Sequence, residues 1–157
     1  MADSVAEIFD RSLLKKRKER AGRRKSEYAP LLAGIADALA ERIAEIKRDF
    51  PLGVCLGAHG EAGAELHKQV GKLVDCALSQ TLLGAKGGIV LDEEHLPFAE
   101  KSLDIIISFL TLHHINQIPK LLVQARKALH PDGVLLGVQI GAGSLDELRQ
   151  VLAQAEE

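Results

Sequence analysis

Four short segments of this chain contain residues that could bind a ligand or take part in a reaction. The first follows an apolar run and reads, in order, Gly57, Ala58, His59, Gly60 and Glu61. A glycine turn between a strand and a helix lets the backbone bend sharply and approach a bound nucleotide closely. The turn therefore indicates a site for a nucleotide-containing cofactor, although His59 and Glu61 place side chains where glycine is favoured.

The other three segments also follow apolar runs and span residues 77–79, 91–98 and 111–116. Ligands of a parallel α/β sheet bind beyond the carboxyl ends of its strands, near the point where the strand order reverses. We therefore expect all four segments to surround one cleft. From the last three segments, the candidate cofactor contacts are Ala77, Leu78, Asp92, Glu93 and Leu112.

Histidines and an asparagine supply the candidates for chemistry on a substrate. The adjacent His113 and His114 could include a general base, but adjacent residues rarely face the same cleft, which disfavours a two-histidine metal site. His59 has no Cys or His partner nearby in the sequence, so a metal role is disfavoured there too. Asn116 could contact a substrate with His113, or it could cap the helix that begins near Pro119.

The elements that position these residues follow from the apolar pattern. Five short apolar runs predict strands at Leu52–Leu56, Leu73–Leu78, Ile89–Leu91, Ile105–Leu110 and Val134–Ile140. The last two runs are continuous, which is typical of strands covered on both faces. Helical patterns lie between and after them, at Ala62–Val70, in a short stretch after Ser79, at Pro119–Leu129 and at Leu145–Ala155. Alternating strands and helices predict a parallel sheet with helices on both faces.

Local signals refine these boundaries. Ser144 and Glu147 have the spacing of a capping box for the last helix, and residues 130–133 (His-Pro-Asp-Gly) indicate a turn before the fifth strand. Two further helices are predicted near the N-terminus, a basic one over Val5–Lys25 and an amphipathic one over Pro30–Arg48. We therefore divide the chain into a helical extension, residues 1–50, and an α/β domain, residues 51–157.

Several of these segments together resemble one family. The resemblance rests on the stretches Ile8-Phe9-Asp10-Arg11 with Leu14-Lys15, Asp92-Glu93-Glu94-x-Leu96-Pro97-Phe98, Ser102–Ser108, Leu112-His113-x-Ile115-Asn116, Leu129-x-Pro131-Asp132-Gly133-Val134 and Gly141-x-Gly143-Ser144-Leu145-x-Glu147-Leu148-Arg149. The chain is similar to class I S-adenosylmethionine-dependent methyltransferases. Within them it resembles the branch that contains complex I assembly factors linked to arginine hydroxylation and the methyltransferase of biotin synthesis.

The resemblance implies S-adenosylmethionine as cofactor, with Asp92 near the adenine amino group unless it only caps its own loop. It also exposes departures from the family pattern. The acid-x-Gly-x-Gly-x-Gly motif falls on Cys55, Gly57, His59 and Glu61, so only one of its four positions is kept. The acid that grips the ribose hydroxyls falls near Ala77. A lost carboxylate–hydroxyl contact costs roughly 1.5–3 kcal/mol, so these changes predict cofactor binding weakened by about a hundredfold or more.

Composition and charge limit the kinds of protein that this chain can be. The 157 residues, 46% of them apolar, fit one domain with a buried core, and no apolar run is long enough to span a bilayer. Cys55 and Cys76 lie in apolar runs, which predicts buried thiols in a reducing compartment, hence a cytoplasmic protein. The segment 11–25 is basic, with Glu19 as its one acid. It is expected to form a solvated helix face or to contact an acidic surface, whereas the lack of aromatic residues disfavours nucleic acid.

Two functional interpretations follow. The first is a methyltransferase-like protein with an eroded cofactor site that serves as an assembly or binding partner. The alternative is an active S-adenosylmethionine-dependent enzyme acting on a protein side chain or a small acid. The family's terminal antiparallel strands have no counterpart before Glu157, so we expect a homo-oligomer or a protein partner to cover the free sheet edge.

Overall fold

The computed structural model describes residues 7–85, 87–141, 143–144 and 146–155. The strands are β1 (Leu52–Leu56), β2 (Lys72–Ala77), β3 (Ile89–Val90), β4 (Leu103–Phe109) and β5 (Leu129–Val138). The α-helices are α1 (Arg11–Gly22), α2 (Lys25–Ala44), α3 (Leu66–Gln69), α4 (Ile118–Ala128) and α5 (Asp146–Ala155). Short 3₁₀ helices lie at Gly60–Gly63, Gln80–Leu82 and Leu112–His114.

All strand pairs in this sheet are parallel, and the strand order is β3-β2-β1-β4-β5. β1 lies at the centre, with Val54 opposite Val74 of β2 and Ile106 of β4. The strand order reverses between β1 and β4, so the loops that follow these two strands flank the expected ligand crevice. The predicted Rossmann-like class, a parallel sheet of about five strands with helices, is confirmed.

The core occupies both faces of the sheet, as the continuous apolar runs predict. On one face α2 packs through Leu39 and Ile43 in a cluster that also contains Ile105 of β4. On the other face α4 packs through Leu121 against a cluster that contains Val54 and Ile106. Because α2 shares a core with the sheet, this helix is packed against the α/β domain. The division at residue 50 stays a prediction.

β5 differs from its prediction in two ways. It begins at Leu129 rather than at Val134, and residues 130–133 lie inside it rather than in a turn before it. Leu103 pairs with Leu129 but Ile105 pairs with Val134, so the Pro-Gly segment bulges from the register. The strand is also only partly buried rather than covered on both faces, because it pairs with β4 alone among the described strands.

The N-terminal helices are shorter or shifted relative to the prediction. α1 begins at Arg11 because the Asp10 carboxylate accepts hydrogen bonds from the Ser12 and Leu13 backbone N–H groups. Residues 5 and 6 of the predicted first helix lie outside the described residues. α2 begins at Lys25, contains Pro30, and ends at Ala44 rather than at Arg48.

The remaining elements follow the prediction with small changes. The helix expected over 62–70 is split into a 3₁₀ turn and α3. Ser79 accepts a hydrogen bond from the Thr81 N–H and caps the short helix after it. The N-cap of α4 is Gln117, so the capping role considered for Asn116 is wrong. The predicted Ser144–Glu147 capping box includes position 145, outside the described residues. None of the described helices has the length and apolar character needed to cross a bilayer.

Candidate functional site

The turn after β1 keeps the backbone geometry of a glycine turn. Gly57 has φ +79°, and its N–H and that of Ala58 both donate to the Cys76 carbonyl, at 2.8 and 3.1 Å. A Cβ at Gly57 would lie 2.1 Å from the Thr111 Cγ2 and 2.4 Å from the Phe109 carbonyl oxygen. Glycine is therefore required because the turn packs directly against the loop after β4.

His59 places an imidazole beside this turn. Its ring meets the Tyr28 ring edge-on at 5.9 Å and lies 6.3 Å from the Phe109 ring. Its Nδ1 is buried without a hydrogen-bond partner among the described residues. Burial, assisted by the Lys18 charge, lowers the pKa of His59 to about 4, so the ring is neutral at physiological pH. Gly60 follows with φ +64°.

The end of β2 lacks the carboxylate that the family pattern places there. Ala77 is fully buried, its carbonyl accepts from the Leu91 N–H at 3.1 Å, and Leu78 beside it is buried. On β1 the Cys55 side chain is also buried, and burial together with the Asp75 charge raises the pKa of its thiol. A neutral thiol and a methyl group therefore occupy the two positions at which the family resemblance implies carboxylates.

Arg11 reaches from α1 into the acidic loop after β3. Its Nη2 lies 2.5 Å from Asp92 Oδ1 and 2.7 Å from Glu93 Oε2, and its Nη1 donates to the His114 carbonyl at 3.0 Å. The exposed side-chain fraction is 17% for Arg11, 34% for Asp92 and 6% for Glu93. Burial opposes ionisation of Asp92, but the Arg11 hydrogen bonds prevail and lower its pKa. The carboxylates predicted to contact a cofactor are paired with the protein's own helix.

A second contact fixes the segment before α1 to the loop after β4. The Asn116 side chain accepts from the Phe9 N–H at 2.8 Å and donates to the Phe9 carbonyl at 3.0 Å. The Asn116 backbone N–H and side-chain amide also donate to Glu94 Oε1, at 2.8 and 3.1 Å. Asn116 therefore joins two segments around the cleft, and its contact with a substrate stays a prediction.

The loop after β4 brings Leu112, His113 and His114 to the same end of the sheet. Leu112 packs against the core, while the two imidazole rings lie 4.0 Å apart between centroids. Both Nδ1 atoms are buried without a partner among the described residues. Burial is the first cause that lowers the pKa of each, to about 4 for His114. The described residues include no group of three or more His, Cys, Asp or Glu that could hold a metal ion.

The site thus gathers all the segments that the sequence predicted, but sequence reasoning missed the contributions of α1 and α2. The sequence predicts Arg11 and Lys18 as members of a basic surface run, and it gives no sign of a role for Tyr28. One signal was present: a Phe-Asp-Arg stretch at 9–11 and three acids at 92–94. The opposite charges of Arg11 and these acids suggest an ion pair across about eighty positions of sequence, but they do not predict its geometry.

The depressed histidine pKa values predict acid sensitivity. The unfolded chain binds protons at His59 and His114 near pH 6.5, whereas the folded protein does so only near pH 4. These two rings therefore do not reduce the free energy of unfolding above pH 6.5. As the pH drops from 6.5 towards 4, the free energy of unfolding is expected to fall, because the unfolded chain binds more protons than the folded protein. Urea unfolding at several pH values measures this slope.

Two variants test this explanation. The double variant His59→Gln/His114→Gln should show a weaker dependence of the free energy of unfolding on pH. The control variant His95→Gln, at an exposed loop position, should keep the dependence of the natural chain. Equal slopes in all three proteins would show that these buried imidazoles do not govern the acid response.

A parallel sheet with a glycine turn after β1 and an acidic loop after β3 defines a Rossmann-like, nucleotide-cofactor type of domain. The sequence profile described as a methyltransferase domain matches residues 54–137, more than half of the chain. The chain therefore belongs to the class I S-adenosylmethionine-dependent methyltransferase family, as the resemblance implied.

Individual relatives agree with this family. The mitochondrial arginine-hydroxylase NDUFAF5 of Rattus norvegicus is 36% identical over 95% of this chain and 47% of its own length. Malonyl-[acyl-carrier protein] O-methyltransferase 1 of Coxiella burnetii is 29% identical over 92% of this chain and 53% of its own length. The chain spans about half the length of these curated relatives.

Solved structures agree on the fold. Phosphoethanolamine N-methyltransferase 2 of Haemonchus contortus, solved in complex with S-adenosyl-L-methionine, superposes with a TM-score of 0.58 at 21% identity. The superposition covers 78% of this chain and 32% of that one.

Proposed function

We propose that this chain is a methyltransferase-fold protein with an eroded cofactor site, which binds S-adenosylmethionine weakly or not at all and acts as a binding or assembly partner. The observation that carries this proposal is the pair of side chains near the ends of β1 and β2. Cys55 and Ala77 are both buried and neither carries a charge. The described residues at these two positions therefore offer no acceptor for the ribose hydroxyls, and they do not fit the cofactor of the family.

The docking of α1 gives independent support. Asp92 and Glu93 would have to turn from Arg11 towards a cofactor, and the partly buried guanidinium would then lose its two closest carboxylate partners. His59 adds steric bulk where a glycine motif lets the backbone approach the cofactor. Asp92 and Glu93 are thus already bound to Arg11, and the His59 side chain reduces the space in which the backbone could approach a cofactor.

The alternative is an active enzyme that modifies a protein side chain or a small acid. It is favoured by the positive φ of Gly57 and by the acidic loop, both of which are kept. Methyl transfer needs mainly that donor and acceptor are held in line, so the lack of a clear acid–base pair does not decide against it. The two proposals differ in one measurable property, the affinity for the cofactor.

A thermal-shift experiment separates them. A compound that binds only the folded state raises its stability by RT ln(1 + [L]/Kd), about 2.7 kcal/mol at a hundred times Kd. We expect no shift in melting temperature with millimolar S-adenosylmethionine or S-adenosylhomocysteine. A saturable shift at micromolar concentrations of either compound would support the active enzyme instead.

The partner role is proposed for the outer face of α1. Arg11 and Lys18 face the protein, whereas Lys15, Lys16 and Arg20 are exposed. An acidic protein surface complements this face better than nucleic acid does, because the face has no aromatic residue for base stacking. A second copy of the chain is the other partner that we propose, at β5.

The compartment also stays a proposal. Cys55 and Cys76 are free and buried, which fits the reducing compartment that the sequence predicted. The relative from Rattus norvegicus is named as mitochondrial, so the comparisons do not support the predicted cytoplasmic location.

A further inference from the structure

A cavity of about 660 Å³ lies beneath α1, between this helix and the loops after β1 and β4. Its volume falls within the range of small-molecule sites. Its polar lining includes Lys18, His59 and His114, and its apolar lining includes Phe9, Leu13 and Leu14. The lining therefore combines basic and polar groups with apolar side chains.

Two cations, Arg17 and Lys18, line this cavity. Arg17 is exposed, whereas Lys18 is half-buried and forms no ion pair with any described residue, in contrast to Arg11 on the same helix. The acidic group that acts on its charge is Glu93, which Arg11 already binds at 2.7 Å. Asp10 also lines the cavity, but its carboxylate accepts the backbone N–H groups of Ser12 and Leu13. The Lys18 ammonium is left to pair with an anion from outside.

The two imidazoles supply hydrogen-bond donors beside this charge. The rings of His59 and His114 line the cavity, and their Nδ1 atoms are buried without partners among the described residues. The Lys18 charge contributes to the lowered pKa of both rings, which places them within its electrostatic range. A neutral imidazole carries one N–H group, which a ring that lines the cavity can donate to an oxygen of a bound anion.

We propose that this cavity binds an apolar chain that ends in a carboxylate, with Lys18 as counter-ion and His59 and His114 as hydrogen-bond donors. One half-buried ammonium and two neutral rings match a single negative charge better than a doubly charged phosphate, because the other cation of the lining, Arg17, is exposed to solvent. Phe9, Leu13 and Leu14 cover the chain. The inference rests on the proposed function, since a protein that does not hold S-adenosylmethionine leaves this cavity to another compound.

The test is a set of calorimetric titrations of the whole chain with octanoate, octanol and acetate. Octanoate carries both features, octanol only the chain and acetate only the charge. We expect octanoate to bind about ten-fold or more tightly than either, because a charge-assisted contact and apolar burial act together. Lys18→Met should weaken octanoate binding about ten-fold, whereas Lys16→Met, at an exposed position of the same helix, should leave it unchanged.

A measurement on the unaltered chain covers the case in which Lys18→Met does not fold. The ¹³C and ¹H resonances of the His59 and His114 rings should titrate at higher pH when octanoate is present, because the bound carboxylate favours the charged ring. Equal binding of octanol and octanoate, equal binding by Lys18→Met and Lys16→Met, or unchanged imidazole titrations would overturn the proposal. Micromolar binding of S-adenosylmethionine in a parallel titration would instead overturn the proposed function, so the two failures are distinguishable.

Discussion

The combined variant Cys55→Asp, His59→Gly and Ala77→Asp is expected to bind S-adenosylmethionine about a hundredfold or more tightly than the natural chain. Each carboxylate that accepts from a hydroxyl or an amino group contributes roughly 1.5–3 kcal/mol through charge-assisted hydrogen bonds. The glycine at position 59 removes an imidazole that packs between Tyr28 and Phe109. Calorimetric titration of both proteins measures the change.

The matched control replaces the charge but not the size, with Cys55→Asn, His59→Gly and Ala77→Asn. It should gain much less affinity, since neutral amides make weaker contacts with hydroxyls than carboxylates do. Both positions are buried, so the charged variant is expected to be less stable without the cofactor and to recover stability with it. A folded charged variant with no gain over the amide control would mean that the glycine motif has been placed on the wrong residues.

The second large effect is expected from Arg11→Met. This change removes a guanidinium that lies 2.5 Å from Asp92 and 2.7 Å from Glu93, and it leaves the nearly buried Glu93 carboxylate unpaired. Breaking such a pair by deleting one partner costs about 3–5 kcal/mol when it is fully buried. Because Asp92 is one-third exposed, we expect about 2–3 kcal/mol, below that range.

The measurement is urea unfolding, with hydrogen exchange along α1 as a second readout. Arg17→Met is the control, because Arg17 is exposed on the same helix and carries no described ion pair. The variant should lose protection in α1 while the sheet keeps its own, and the control should resemble the natural chain. Equal stability of the two variants would show that the Arg11 contacts do not hold α1 against the acidic loop.

Much of the sheet could be predicted from the sequence because its strands β1, β2 and β4 are short, apolar and largely buried. The β4 run is covered on both faces, and its residues show that burial directly. β5 was harder, because its first residues pair through a bulge around the Pro-Gly segment and its outer side has no described neighbour. Residues typical of a turn can lie in a bulge within a strand or in a turn before it. The sequence alone does not distinguish the two cases, because the difference depends on how the segment pairs with β4.

The sequence predicts which segments form the candidate site, but not the side-chain contacts within it. The rule that ligands lie beyond the strand ends placed Gly57, Ala77 and Asp92 together. It could not place Arg11, because the contact joins residues 81 positions apart through side-chain geometry. The neutral state of His59 was likewise hidden, since it depends on Tyr28 and Phe109 packing around the ring.

Calorimetric titration of the natural chain with S-adenosylmethionine tests the central claim most directly. The account predicts no saturable heat with a Kd tighter than about 1 mM, because Cys55 and Ala77 offer no carboxylate and Arg11 engages Asp92 and Glu93. A titration that saturates with a micromolar Kd and one site per chain would contradict it and identify a working cofactor site.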